Sequence, residues 1–280
     1  MTATQTASTA AATAVHKVAA RGFNLQTAAY EAARPSYPPA VIEHLTTTAI
    51  PNLAANPSAC AVLDLAAGTG KMTRLLQPYN FGRLVAVEPA RGMRDKFASV
   101  LPGVEIHEGT STQIPFPNAT FDAVVVAQAF HWFATMDSLV EIARVLKPGG
   151  TCALVWNLEA NTGLSGRLRA LYEQYEDGTP QYRLGLWKEV FEKRANVVAQ
   201  LFGPVQTHVV EHSIEWTEDE TWMRVLSKSY VSCLDENEQK VLEGKIRQAL
   251  REPGLPWREK GGRRVMDFPY QTDTVWFSKK

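Results

Sequence analysis

The chain has 280 residues, 45% of them hydrophobic, with 29 basic and 29 acidic side chains and a formal net charge of zero. That supplies enough apolar residue for a full α/β core, and with no basic field to attract phosphate backbones, nucleic acid is not an expected partner. The three cysteines, Cys60, Cys152 and Cys233, stand far apart with no C-x-x-C pair. Neither a disulfide framework nor a metal site is therefore expected, and free thiols fit a reducing cytoplasm. No apolar run approaches membrane-spanning length.

Residues 1–14 are almost all Ala, Thr, Ser and Gln, a composition with no core-forming capacity, so residues 1–20 read as a disordered tail. From Phe23 a short helix should run until Arg34, which precedes Pro35. Pro38 and Pro39 start another helix, over 40–47, with Val41, Ile42 and Leu45 on one face. This N-terminal part packs on the domain in the plain reading. In the functional reading it is a lid, residues 21–50.

The most informative stretch follows. Val62-Leu63-Asp64-Leu65 reads as a buried parallel strand, Ala66-Ala67-Gly68-Thr69-Gly70 as a tight turn, and Lys71 onward as a helix. A strand, a glycine turn and a helix leave backbone N–H groups and a positive dipole end at the strand's carboxyl edge. A dinucleotide fingerprint would want a third glycine where Thr73 stands, and would not require the acid Asp64 before the turn. The second strand, 84–87, ends in Glu88-Pro89. Glu88 falls about 20 residues after the glycines, where a βαβ unit delivers an acid to ribose hydroxyls.

A helix over 90–100 and a short third strand, 104–109, come next, followed by a fourth strand, 121–126, that leads into Ala127-Gln128-Ala129-Phe130-His131-Trp132-Phe133. Ligands of open α/β sheets bind beyond the carboxyl ends of the strands, so this loop should face the site. A helix over 137–146 stops at Lys147-Pro148-Gly149-Gly150, and a fifth strand covers 151–157. Residues 158–203 turn helical and aromatic, without βαβ spacing, and read as an inserted cap that carries substrate choice. A strand over 205–216 precedes two capping-box helix starts, Thr217-x-x-Glu220 and Asp235-x-x-Glu238. Turns over 252–262 lead into a last strand, 265–276, in which Pro269 implies a bulge or an edge. The basic cluster Arg258, Lys260, Arg263 and Arg264, interrupted by Glu259, reads as a solvated loop.

Asp64-x-x-x-Gly68-x-Gly70 resembles the first motif of class I S-adenosylmethionine (SAM)-dependent methyltransferases, with Ala66 where that family more often carries glycine. Tyr30-x-x-x-Arg34-Pro35-x-Tyr37-Pro38 and the run Gln128-Ala129-Phe130-His131-Trp132 resemble segments of the methyltransferase type 11 and trans-aconitate methyltransferase group. The resemblance implies an α/β fold over 21–280: a Rossmann-like, mostly parallel seven-stranded sheet with an antiparallel last strand and a helical cap insertion. It implies SAM as cofactor, with S-adenosylhomocysteine as product. Tyr30 and Arg34 would touch the methionine half, Arg34 through a charge-assisted fork. Asp64, Ala66, Gly68 and Gly70 would form the loop, and Glu88 with Pro89 would meet the ribose. Met93, Thr110 and Ser111 would meet the adenine, Thr110 standing where the family often has an acid. Gln128, Ala129 and Trp132 would complete the cofactor side.

The acceptor pocket would use Tyr37, His131 and Trp156, with His131 as base or positioning group. A carboxylate acceptor needs no base, whereas a hydroxyl or thiol must lose a proton. No Asn-Pro-Pro-Tyr follows the fourth strand and no Pro-Cys nucleophile exists, which favours a small molecule over a base or a protein amide. Two alternatives stay open: a subunit that binds SAM without transferring its methyl, and a nicotinamide-dependent oxidoreductase. Thr73 and the terminal strand pair argue against the latter. The sequence does not disclose an oligomeric state.

Overall fold

The computed structural model describes residues 33–280. Tyr30, the 1–20 tail and the first part of the 21–50 segment lie outside the described residues. The sheet runs in the order β3-β2-β1-β4-β5-β8-β6. Its strands are β1 (Ala61–Leu65), β2 (Arg83–Val87), β3 (Glu105–His107), β4 (Phe121–Ala127), β5 (Leu146–Glu159), β6 (Gln206–Trp216) and β8 (Arg263–Ser278). Strands β1 to β5 pair in parallel, and β8 enters antiparallel between β5 and β6. This is the mostly parallel sheet with an antiparallel last strand that the resemblance implied. One addition was not anticipated: a short β7 (Arg258–Lys260) pairs with the start of β8. Gly261 and Gly262, both at positive φ, make the turn.

The labelled helices are α1 (Pro39–His44), α2 (Lys71–Leu76), α3 (Arg91–Val100), α4 (Met136–Val145), α5 (Gly163–Glu173), α6 (Ala195–Leu201), α7 (Glu218–Leu226) and α8 (Glu236–Leu250). The central strands are buried on both faces, so they run as near-continuous apolar stretches rather than alternating with polar residues. Ala123, Val125, Ala153 and Val155 meet α1 and α2 on one face, while Val124, Val126, Leu154 and Trp156 meet α4 and the 186–202 segment on the other. Pro269 sits where β5 has ended: the β5–β8 ladder stops at Glu159 and Tyr270. Its missing N–H therefore leaves no ladder partner unpaired on that side.

The helical segment after β5 divides. Trp187, Val190 and Val198 join the core of the sheet. Leu168 and Tyr172 of α5 instead share a separate core with Trp222 and Val225 of α7, Leu242 and Ile246 of α8, and Phe268 and Tyr270 of β8. The helical layer over the strand ends is thus built from two insertions, one after β5 and one between β6 and β8. Both predicted capping boxes form, at Thr217 with Glu220 and at Asp235 with Glu238, and they start α7 and α8. Among the described residues no helix is long and apolar enough to cross a membrane.

Candidate active site

The chain crosses from β1 outward to one side and from β4 outward to the other, which opens a crevice at their carboxyl ends. A cleft of about 210 Å³ lies there. Its floor is the β1–α2 loop, where Ala66 and Gly68 have φ of 59° and 57°. A Cβ built on Gly68 would meet nothing within 4 Å, so that backbone faces the open cleft. Ala66 takes the same left-handed geometry with a side chain, a conformation that costs about 1–2 kcal/mol.

Glu88, at the tip of β2, accepts hydrogen bonds from the N–H groups of Gly68 and Ala90, both at 2.9 Å. Burial raises its pKa; the Ala90 and Gly68 bonds and Arg94 act against that. The carboxylate thereby ties the loops after β1 and β2 while lining the cleft. Pro89 and Met93 add apolar wall, and Thr110 with Ser111 supplies hydroxyls. The Ser111 hydroxyl shares a 2.9 Å hydrogen bond with that of Ser138. Gln128, Ala129 and Trp132, from the loop after β4, close the far side, and Arg34 with Tyr37 comes over the top. Gln128 also has a left-handed backbone, φ 58°, and is pinned by its side-chain amide to the Asn157 carbonyl at 2.9 Å. Such conformations cluster at functional sites.

Two residues expected to line this cleft do not. Asp64 is fully buried beneath the loop, where it accepts the Thr73 hydroxyl, while its Oδ1 has no partner among the described residues. Burial raises its pKa to about 7 against the opposing Thr73 bonds. It is the next-to-last residue of β1, with its side chain inside the fold; the lining starts one residue later, at Leu65. Gly70 also lies off the cleft. A Cβ there would fall 2.6 Å from Leu101 and 2.8 Å from Phe97, so this glycine serves helix packing, not ligand approach.

Through Arg34, Gln128, Trp132 and Arg224 the cleft continues into a second, polar chamber. His131 lines it. Trp156, expected as a pocket wall, is instead completely buried, stacked on Tyr182 and tilted against Trp187. Its indole N–H donates to His131 Nδ1 at 3.1 Å. An indole N–H only donates, so Nδ1 is unprotonated and the neutral ring carries its proton on Nε2. Burial, then the nearby Arg34 charge, pushes the His131 pKa down to about 3. In that tautomer His131 Nε2 is a hydrogen-bond donor, and the ring has no free lone pair with which to take a proton.

The rest of the chamber escaped sequence reasoning. Glu159 stands at the end of β5, Arg169 and Tyr172 on α5, Arg224 on α7, and Lys228 just beyond it. Burial opposes ionisation of Glu159, but Lys228 and Arg224 beside it hold its carboxyl well below the usual range. The one sequence signal was Arg224, a cation on the buried face of α7 beside Trp222 and Val225. Among the described residues no group of His, Cys, Asp or Glu could hold a metal.

Comparison with known proteins agrees with this arrangement. The family described as Methyltransferase domain (Methyltransf_11) matches residues 63–154. An uncharacterized methyltransferase of Mycobacterium tuberculosis is 37% identical over 196 residues, 70% of either chain. The chain belongs to the class I SAM-dependent methyltransferases. A methyltransferase-like protein of Schizosaccharomyces pombe is 29% identical over 225 residues, 80% of this methyltransferase and 84% of that protein. In fold, this methyltransferase is similar to a type II methyltransferase of Anaeromyxobacter dehalogenans, with a TM-score of 0.58 at 19% identity over 88% of this chain and 97% of that one.

Proposed function

We propose that the chain binds SAM in the cleft between the β1, β2 and β4 tips and transfers its methyl group to a small-molecule acceptor in the adjoining chamber. The cleft suits that cofactor: an open left-handed glycine, an acid at the tip of β2, apolar wall and hydroxyls all line it. When bound, SAM supplies an electrophilic methyl on its sulfonium. The chain's own residues align donor and acceptor and exclude water, which can contribute about 7–11 kcal/mol. Arg34 is proposed to meet the methionine half, Glu88 the ribose, and Met93, Thr110 and Ser111 the adenine. Asp64 acts beneath the loop through Thr73.

The observation that supports the acceptor reading is the His131 tautomer, held by Trp156. A donor on Nε2 can orient an oxyanion but cannot deprotonate a hydroxyl. This favours an acceptor already ionised at neutral pH, a carboxylate first, with thiols and hydroxyls behind it. The lid reading of 21–50 gains support from two ties. The Arg34 guanidinium donates to the Ser227 carbonyl at 2.8 Å, and the Asn157 amide donates to the Ser36 carbonyl at 2.9 Å. The cap that surrounds the acceptor then comprises α5 together with the 217–232 stretch. The buried thiols of Cys60 and Cys152 fit a reducing compartment such as the cytoplasm.

Calorimetric titration with SAM, followed by S-adenosylhomocysteine release across carboxylic acids, thiols and phenols, tests both parts. SAM binding with turnover on a carboxylic acid is expected. A silent SAM titration would overturn the cofactor reading, and turnover confined to phenols would overturn the acceptor class.

A further inference from the structure

The acceptor chamber is unevenly charged. On one side Arg169 pairs with Glu173, and Arg183 with both Glu173 and Glu176, so two cations meet two acids. On the other side Arg224 and Lys228 share one carboxylate, Glu159, at 2.9 and 3.3 Å. These two cations are 7% and 9% exposed.

Glu159 is saturated, since it also accepts the hydroxyls of Tyr172 and Tyr270. The cations are not. Arg224 has five N–H groups; one goes to Glu159, one to the Tyr270 hydroxyl at 3.3 Å and one to the Ser227 hydroxyl at 3.5 Å. Lys228 has three, with Glu159 as its one charged acceptor among the described residues. A second buried cation on one carboxylate is costly to desolvate without a further anion. Arg224 also lines the cofactor cleft, so an anion placed here would lie beside the transfer site.

We propose that Arg224 and Lys228, positioned by Glu159, form a receptor for one oxyanion of the acceptor. This rests on the methyl-transfer reading above and adds a requirement to it: the acceptor carries an anionic handle, a carboxylate or a phosphate, besides the atom that is methylated. The handle is not the nucleophile, because an oxygen held by two buried cations has its lone pairs engaged and its charge compensated.

Protonation of Lys228 then governs affinity. The groups facing it are Glu159 from β5, Tyr172 from α5, Arg224 from α7, Tyr270 from β8, Tyr230 and Arg34. Burial first, then Arg224 and Arg34, lower its pKa to about 7 against the pull of Glu159. The protonated amine is the receptor, so affinity is full on the acid side of that value and falls as pH rises through it. A bound anion raises the Lys228 pKa, so binding near neutrality takes up a proton.

The test titrates the full chain with succinate, with inorganic phosphate and with neutral succinamide, by calorimetry at several pH values. Saturable binding of an anion but not of succinamide is expected, and the tighter of the two anions identifies the handle. Lys228→Met should weaken it about ten- to a hundredfold. Lys228→Arg should keep it and carry it to higher pH. Absence of anion binding by the native chain, equal binding of succinamide, or a Lys228→Arg variant that loses affinity as the native chain does would each overturn the receptor. So would turnover that rises with pH through neutrality and vanishes in Lys228→Arg, the signature of a lysine base. SAM titrated in parallel separates the two readings. Binding of SAM without anions defeats the receptor alone, and binding of anions without SAM defeats the cofactor assignment.

Discussion

The cleft at the strand tips and the polar chamber beside it share Arg34, Gln128, Trp132 and Arg224 but are built from different materials. The cleft is mostly backbone: strand tips, left-handed turns at Ala66, Gly68 and Gln128, and N–H groups gathered by Glu88. The chamber is mostly side chain, a set of buried charges drawn from β5, α5, α7 and the 227–230 stretch. Backbone sites tolerate little change in shape, because a methyl group in the wrong place meets main chain or helix. Charge sites tolerate changes of shape but not of sign. The two regions should therefore fail in different ways.

Gly70→Ala should produce the largest effect and should break the fold rather than the site. It drives a methyl into Phe97 and Leu101 at a positive φ, at a cost of about 2–5 kcal/mol, readable as a lower urea midpoint. Gly68→Ala is the sharp contrast: it costs about 1 kcal/mol of stability, but its methyl enters open cleft, so the loss should appear in SAM affinity. If both variants lose stability equally, the distinction between a packing glycine and a ligand glycine is wrong.

Asp64 offers a pH test of the same frame. Its folded pKa, about 7, lies above the ordinary 3.8. The folded state therefore holds the proton more tightly, and stability falls as pH rises from about 4 to 7, by up to about 4 kcal/mol. Asp64→Asn keeps the shape and an acceptor for Thr73, and should flatten that part of the profile in urea melts. An unchanged slope would mean that Asp64 is not the group responsible.

A smaller loss is expected from Glu88→Gln. The amide keeps one acceptor oxygen for two loop N–H groups, so SAM affinity should drop about thirtyfold, or about 2 kcal/mol. Anion binding in the chamber should not move. Smallest of all is Ala66→Gly, which relieves a left-handed alanine but frees the unfolded chain, for a net gain below about 1 kcal/mol in thermal unfolding.

Much of the cleft was legible beforehand because its signals are local. A strand that breaks into Gly68-Thr69-Gly70, an acid at the end of the next strand, and the Gln128-Ala129-Phe130-His131-Trp132 run each specify backbone geometry within a few residues. The two capping boxes were readable for the same reason, since donor and acceptor lie within one turn. Residue type without position misled at Asp64 and Gly70, whose neighbours in space, Thr73 in one case and Phe97 with Leu101 in the other, decide which way each one faces.

Sequence by itself determined the parallel α/β core, the order of its elements and the loops that line the cleft at the strand tips, because hydrophobic periodicity and turn chemistry act over short stretches of chain. Tertiary structure alone decided three things: that β8 slips between β5 and β6, that Trp156 turns His131 into a donor, and that Arg224 and Lys228 share a single buried carboxylate. Each depends on groups distant in sequence meeting out of water, where a missing partner costs free energy that no local pattern records.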